Sequence, residues 1–521
     1  MTKNTTSVQT GKTATSSLAT LLKKRPARDA NALLADIAAL TKLAGHTKNP
    51  GAAEKVLSWC ETAAKRKLDA TQRCLLDFYT ANAWICRHHE RKNASNAAWE
   101  QPEIEKAIYH LRKAVDDPAF LFFDELLRCR ILTLSGNQHG YMGDFIHAIE
   151  YWDRAIETDT RFGMALGNRG KGIAEYAELI GDDTLKPVFL GMATDNLEAA
   201  TDDDARYFGD AQGKEYFRAE LEKIDATLSG SDSDAAPVCD TPRQTDKSGK
   251  NRNFRKWCLT EKLYLNPYND LCQANAAAYD IMEQPVSNPS PLRSMPPAIR
   301  FLSQIRQEYI AARHLCHGAL SSKALRDARK SENAETDRKG WSLAVETLKL
   351  ACRSAWSLLP KIARTVNLYF DLKLPDGKTG LKTVWYKNGN PAEGLADAFA
   401  GSTNWPLRGL FWLSKALPPE RLSPSTDPHS LLLKTIAEEL GHRYLRIVEL
   451  DLPSGQIVDG TLSRRKLEDA TLKALGLARG AIVYLTQAIS IEETRKKIQA
   501  ESHAGGNVYP DISASPAGET P

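Results

Sequence analysis

Apolar residues recur at intervals of three and four along most of this chain, the spacing that gives a helix one buried stripe. Ile436, Leu440, Tyr444 and Ile447 show the pattern clearly. It predicts helices over 32–43, 52–64 and 75–87, and a denser series at 304–320, 348–372, 402–417, 431–450 and 471–497. An aromatic-rich stretch over 253–271 opens a further helix after Asn266-Pro267. Little strand is expected, with Val384-Trp385-Tyr386 as one short extended piece. The expected fold class is all-α.

The first half repeats itself. Counting from Cys129, small residues fall at the eighth, twentieth and twenty-seventh positions (Gly136, Ala148, Ala155), with Trp152 at the twenty-fourth. Small residues let two antiparallel helices approach, and the large ring fills the gap between successive pairs. From Gly163 the pattern returns, with Gly170 as the small residue and Ala193, Leu197 and Ala200 resuming after an insertion. Upstream, Ala107, Leu111, Ala114 and Pro118 fit a second helix. This spacing resembles the tetratricopeptide (TPR) repeat of 34 residues. The resemblance implies a five-pair α-solenoid with a concave groove. Arg130, Asn137, Asn168 and Lys171 are expected near its inner face, where they would bind a protein or peptide partner by charge-assisted bonds. The plainer reading is that amphipathic helices need a polar side.

Composition divides the chain. Residues 1–30 hold six bases (Lys3, Lys12, Lys23, Lys24, Arg25, Arg28) and the acid Asp29, and read as a solvated basic tail. Residues 499–521 read as a second tail. The turn-rich stretch 229–250 reads as a linker. It separates a TPR-like array at 31–228 from a helical bundle at 251–498. Charge flips across it. Residues 195–234 carry 12 acids and 4 bases, net −8, and residues 239–263 carry 7 bases and 3 acids, net +4. The second half therefore opens on the more anion-friendly surface, although a charge run is often only a solvated face.

Several chemistries are missing from the sequence. It has no phosphate loop, no Gly-x-Ser-x-Gly elbow and no His-Glu-x-x-His pair, so neither a cofactor nor a metal is expected. The nine cysteines form no Cys-x-x-Cys pair, which suits buried thiols in the cytoplasm. No apolar run free of charge reaches 18 residues; the best candidate, 480–491, is too short to span a membrane.

The helical blocks of the second half carry a resemblance of their own. They are Trp257…Leu265-Asn266-Pro267…Asn269-Asp270, Glu308-Tyr309…Ala312-Arg313, Lys361-Ile362-Ala363…Asn367…Tyr369 and Asn404…Trp412-Leu413. Together they resemble a HEPN domain of the bacterial branch that follows TPR repeats. The resemblance implies RNA binding or metal-independent RNA cleavage by a homodimer, often in a toxin or phage-defence setting. Family ribonucleases carry Arg-x4–6-His on one helix. Histidine moves a proton near neutral pH and arginine holds the phosphate.

His442 stands where the family histidine should, but positions 435–437 are Thr, Ile and Ala. A substitute is expected from Glu438, His442 and Arg446, spaced by four on one helix face. Lys434 and Arg443 are candidate phosphate contacts. Lys434 lies about 80° around the helix from His442, and its ammonium is a poor copy of a guanidinium. A salt-bridge column on a solvated face explains the same spacing. Arg313 is a third phosphate candidate; Arg313-His314…His317 is a basic cluster whose spacing misses the family signature. Asn269, Asp270 and Glu308 are expected to form a supporting polar network. With the arginine missing, the other reading is a catalytically degenerate adaptor that scaffolds a protein complex.

Overall fold

The computed structural model describes residues 18–47, 49, 51–90, 98–180, 185–207, 212–229, 249–282, 295–321, 343–419, 424–449, 457 and 459–505. Most of the expected linker, residues 230–248, lies outside them, as do residues 1–17 and 506–521 of the expected tails.

The fold is all-α. Helices α1 (Ala30–Thr47), α2 (Ala52–Ala64), α3 (Ala70–Glu90), α4 (Pro102–Asp116), α5 (Glu125–Tyr141), α6 (Phe145–Thr158), α7 (Gly163–Ala177) and α8 (Lys186–Thr201) pack as four successive hairpins. A single helix, α9 (Gln212–Ser229), closes the array against α8, so the expected fifth pair is one helix among the described residues. Local chemistry sets the boundaries. Asp124 caps α5 by accepting from Leu127 N at 2.8 Å. Gly143, at φ +83°, reverses the chain between α5 and α6 in the left-handed conformation glycine tolerates.

Trp152 is the keystone of the array. A Cβ at Gly136 would lie 2.5 Å from its Nε1, and one at Gly140 3.1 Å from the far edge of its ring. Gly172 of α7 meets the same indole, whose N–H donates to Asn137 Oδ1 at 2.9 Å. Gly170 repeats the arrangement one hairpin on, where its Cβ would meet Leu197 and Ala193 O. The small residues are therefore the space the large ones occupy.

The second half comprises α10 (Gly249–Thr260), the single turn α11 (Tyr268–Leu271), α12 (Pro297–Ser321), α13 (Leu343–Tyr369), α14 (Trp405–Lys415), α15 (Ser430–His442) and α16 (Arg464–Gly505). α13 lies against α12, α15 and α16, and α14 packs on α16. α16 contains a stretch long and apolar enough to cross a membrane by length and composition, but that stretch is largely buried in the protein's own core. The two strands β1 (Arg446–Val448) and β2 (Thr461–Ser463) pair in parallel, Ile447 opposite Leu462. Tyr386 makes one antiparallel bridge to Leu395.

Three expectations are corrected. The helix expected over 431–450 stops at His442. Leu445 and Ile447 are buried while Tyr444 and Arg446 are exposed, a period of two that fits the strand. The expected tail over 1–30 ends earlier, because residues 18–23 are helical and Leu18 is buried on the core of α1–α3. Finally, the halves are not separate bodies, since one hydrophobic core runs from Trp99 to Ile489. Trp99 sits against Trp385, Phe399 and Phe411, and its carbonyl accepts from Trp412 Nε1 at 3.0 Å. Lys415 of α14 reaches Glu105 of α4 at 2.9 Å.

Two glycines of this array test the packing argument. Gly136→Ala should destabilise the fold by about 1–3 kcal/mol, because Trp152 must move. Gly191→Ala in α8, where a Cβ meets nothing within 4 Å, should stabilise it by about 0.5–1 kcal/mol. Chemical denaturation of both variants against wild type reads the difference. Equal behaviour would sink the keystone role of Trp152.

Candidate functional site

Several buried polar contacts tie the halves together, and two of the centres are built around Asp270 and Asp144. The first is built on the segment 263–271, which follows α10. Asp270 is 1% exposed and forms an ion pair with Arg479 of α16, itself 2% exposed. Arg479 also donates to Tyr264 O at 2.7 Å and Asn266 O at 2.9 Å. Tyr176 of α7 donates to Asp270 Oδ2 at 3.3 Å, and Arg169 of α7 donates to Leu271 O at 3.0 Å. Burial works against the Arg479 charge, but Asp270 outweighs it and lifts the pKa. Asn269 braces the segment, accepting from Tyr264 N and donating to Leu259 O, each at 3.2 Å. So Asn269 and Asp270 do form a polar network. Glu308 stands apart from it, paired with Lys361 and accepting from Gln304 at 2.8 Å.

The second centre lies at the α5–α6 turn. Asp144, 1% exposed, accepts from His139 Nδ1 at 2.8 Å, from His147 Nδ1 at 2.8 Å and from the Tyr484 hydroxyl of α16 at 2.9 Å. With Asp144 ionised, each ring carries its hydrogen on Nδ1. Burial alone would raise the Asp144 carboxyl; His147 and His139 outweigh it and hold it well below its usual range. Burial lowers His139 to about 4, while at His147 the Asp144 charge overcomes burial and raises the pKa. The three donor atoms lie within 4.8 Å of one another, close enough for one metal ion. An ion on both Nδ1 atoms would move the His139 hydrogen to Nε2, which is buried and has no partner among the described residues. The donor set therefore fits a hydrogen-bonded hub better than a metal centre. Sequence inspection missed this hub because its members come from two helices and a turn, completed by a tyrosine more than 300 residues away.

The expected catalytic column does not assemble. His442 is the last residue of α15 and exposed, and Arg446 belongs to β1 rather than to the helix. Glu438 is 3.7 Å from Lys434, and Arg443 reaches Glu439 at 3.2 Å. These are ion pairs on a solvated helix face, worth a few tenths of a kcal/mol at most. Lys434 also borders a shallow cleft with Trp356 and Lys382, but the Lys382 ammonium already donates to the carbonyls of Leu417, Pro418 and Pro424. Arg313 is no phosphate contact. It is 2% exposed, grips Asp280 at 2.9 and 2.6 Å, and donates to Leu263 O at 2.8 Å. A buried guanidinium needs a resident carboxylate, and Asp280 supplies it.

The expected groove residues are mostly engaged internally. Asn137 orients Trp152, Asn168 donates to Met164 O at 2.7 Å, and Lys171 lies 3.3 Å from Glu175. Arg130 stacks over Phe78 at 5.9 Å. Of the thiols, Cys60 and Cys74 are buried and pushed up to about 12 by burial, which keeps them as unreactive thiols. Cys239 lies outside the described residues.

Both centres yield measurable outcomes. Arg479→Met should cost about 3–5 kcal/mol by stranding Asp270, and adding Asp270→Asn should recover part of that loss. A thermal melt of the single and double variants checks it. His139 is about 4 in the fold against 6.5 for a free imidazole, so its stabilising share is present above pH 6.5 and drains away as pH falls toward 4. His139→Phe should flatten that part of the Tm-against-pH curve; an unchanged slope would remove His139 as its source.

No curated protein and no solved structure matches the chain. Residues 290–492, from just before α12 to well inside α16, match the family model described as LA2681-like HEPN, and a HEPN domain points to a nuclease or RNA-related role in general.

Proposed function

We propose that this protein acts on RNA through its second half, chiefly as a binding module, with the helical array of the first half as a partner-binding or sensing unit. The observation that carries the reading is the HEPN match over 290–492, which covers the bundle of α12, α13, α14 and α15 and most of α16. The TPR resemblance of the array belongs to the same proposal, supported by the glycine and tryptophan packing of α5–α8.

Cleavage has weaker support than binding. The family's arginine is missing before His442, and Arg446 lies on β1 rather than on the helix that ends at His442. A homodimer that completes a half-site is the form in which cleavage would arise. A toxin or defence setting is part of the proposal only as far as RNA damage underlies it.

A second reading, the degenerate adaptor, has its own observation. Leu121 and Phe122, between α4 and α5, are 70% and 80% exposed, and Leu126 in the first turn of α5 is 44% exposed. Such an apolar cluster suits a protein contact.

Total RNA and a short unstructured RNA, incubated with wild type and His442→Ala, separate the readings. Salt-sensitive binding by both proteins, with no His442-dependent cleavage, is the expected result. Cleavage lost in His442→Ala would restore a nuclease role for that residue, and no binding by either protein would leave the adaptor.

A further inference from the structure

The first residues of the second half form a surface that neither the HEPN match nor the buried centres use. Helix α10 reads GKNRNFRKWCLT, with four bases and no acid in twelve residues. Cys258 and Leu259 bury its inner side, while Arg252 and Lys256 are exposed. Between these sides, Phe254 and Trp257 are half-buried, and they do not simply join the core. Phe254 stacks on His314 of α12 at 4.1 Å and 14°, and meets His317 edge-on at 5.1 Å. Trp257 lies 5.2 Å from His317. Two aromatic rings and two imidazoles thus form one cluster at the surface, with His314 on its exposed side.

The charges around this cluster favour an anion. Arg255 lies over Tyr279 at 4.9 Å and bonds its hydroxyl at 3.1 Å. Asp280, on the segment after α10, is neutralised by Arg313. Glu261 follows α10, and Glu308 pairs with Lys361 farther along α12. Burial and the neighbouring Arg313 lower His314, which favours an uncharged ring suited to stacking. Interlocked, half-buried rings do not protrude as a membrane anchor does. A row of cations beside a stack of flat rings is how proteins hold unpaired nucleotides, phosphates on the cations and bases on the rings.

We infer that the α10–α12 face, built from Arg252, Lys256, Phe254, Trp257, His314 and His317, is a docking surface for single-stranded RNA. The inference rests on the RNA reading above and adds to it the strandedness of the ligand and a location that lies partly before residue 290.

Fluorescence anisotropy of the full chain with a labelled, unstructured RNA oligonucleotide tests it, over a range of salt. Arg252→Glu with Lys256→Glu should weaken binding on the order of tenfold and reduce the log–log salt slope by roughly 1.4, about 0.7 per phosphate contact. His314→Ala should weaken binding about fivefold or more by removing a stacking ring, with the salt slope unchanged. Both variants alter exposed side chains and should melt with wild type. If wild type binds RNA and neither variant weakens it, the docking face is wrong while the RNA reading stands. If wild type binds no RNA, the broader reading falls and takes the face with it. Equal binding of a duplex, or of an oligoglutamate peptide that responds to the same charge reversal, would make this a general anion surface and overturn the single-stranded assignment.

Discussion

A buried carboxylate must be answered by a buried cation, and in this protein that requirement joins the two halves of the chain. Asp270 and Arg479 are almost fully withdrawn from water. Either one alone would carry a desolvation penalty of several kcal/mol. Arg479 meets the need by gripping Asp270 and the carbonyls of Tyr264 and Asn266 together. That grip fixes the segment after α10 against α16, and Tyr176 and Arg169 then fasten the same segment to α7. The pair contributes specificity of assembly more than net stability, since a well-packed apolar pair would hold as firmly without specifying partners.

The Asp144 hub performs the same task at the α5–α6 turn, and Trp99 does it with apolar surface against α14. Attachments of different chemistry, the Lys415–Glu105 pair among them, therefore hold the helical array on the bundle. Motion of one half relative to the other must break buried hydrogen bonds as well as apolar packing. A partner that binds the array is thus mechanically connected to α16, the longest helix of the bundle.

The legibility of the fold and that of the site differ for a physical reason. Helix periodicity is local, so the positions of α1, α2 and α16 could be read along the chain. The small-residue code around Trp152 could also be read, because it repeats at a fixed spacing and the structure fills those spaces with that ring. The column Glu438–His442–Arg446 failed because its spacing holds only while the helix continues. The pull of β2 on Ile447 and the burial of Leu445 end the helix at His442. Arg313 looked like a surface cation because its partly buried partner, Asp280, lies 33 residues away in sequence.

Sequence alone determined that this chain is helical, that small and large apolar residues recur at set spacings in its first half and that its second half begins with a basic, aromatic stretch. Those properties depend on neighbours within a turn or two, where spacing and side-chain type are enough. Only the tertiary structure decided which charges are buried, which histidines share Asp144 and that one core unites both halves. Burial and pairing depend on residues hundreds of positions apart, and their energies are set by the water that folding removes.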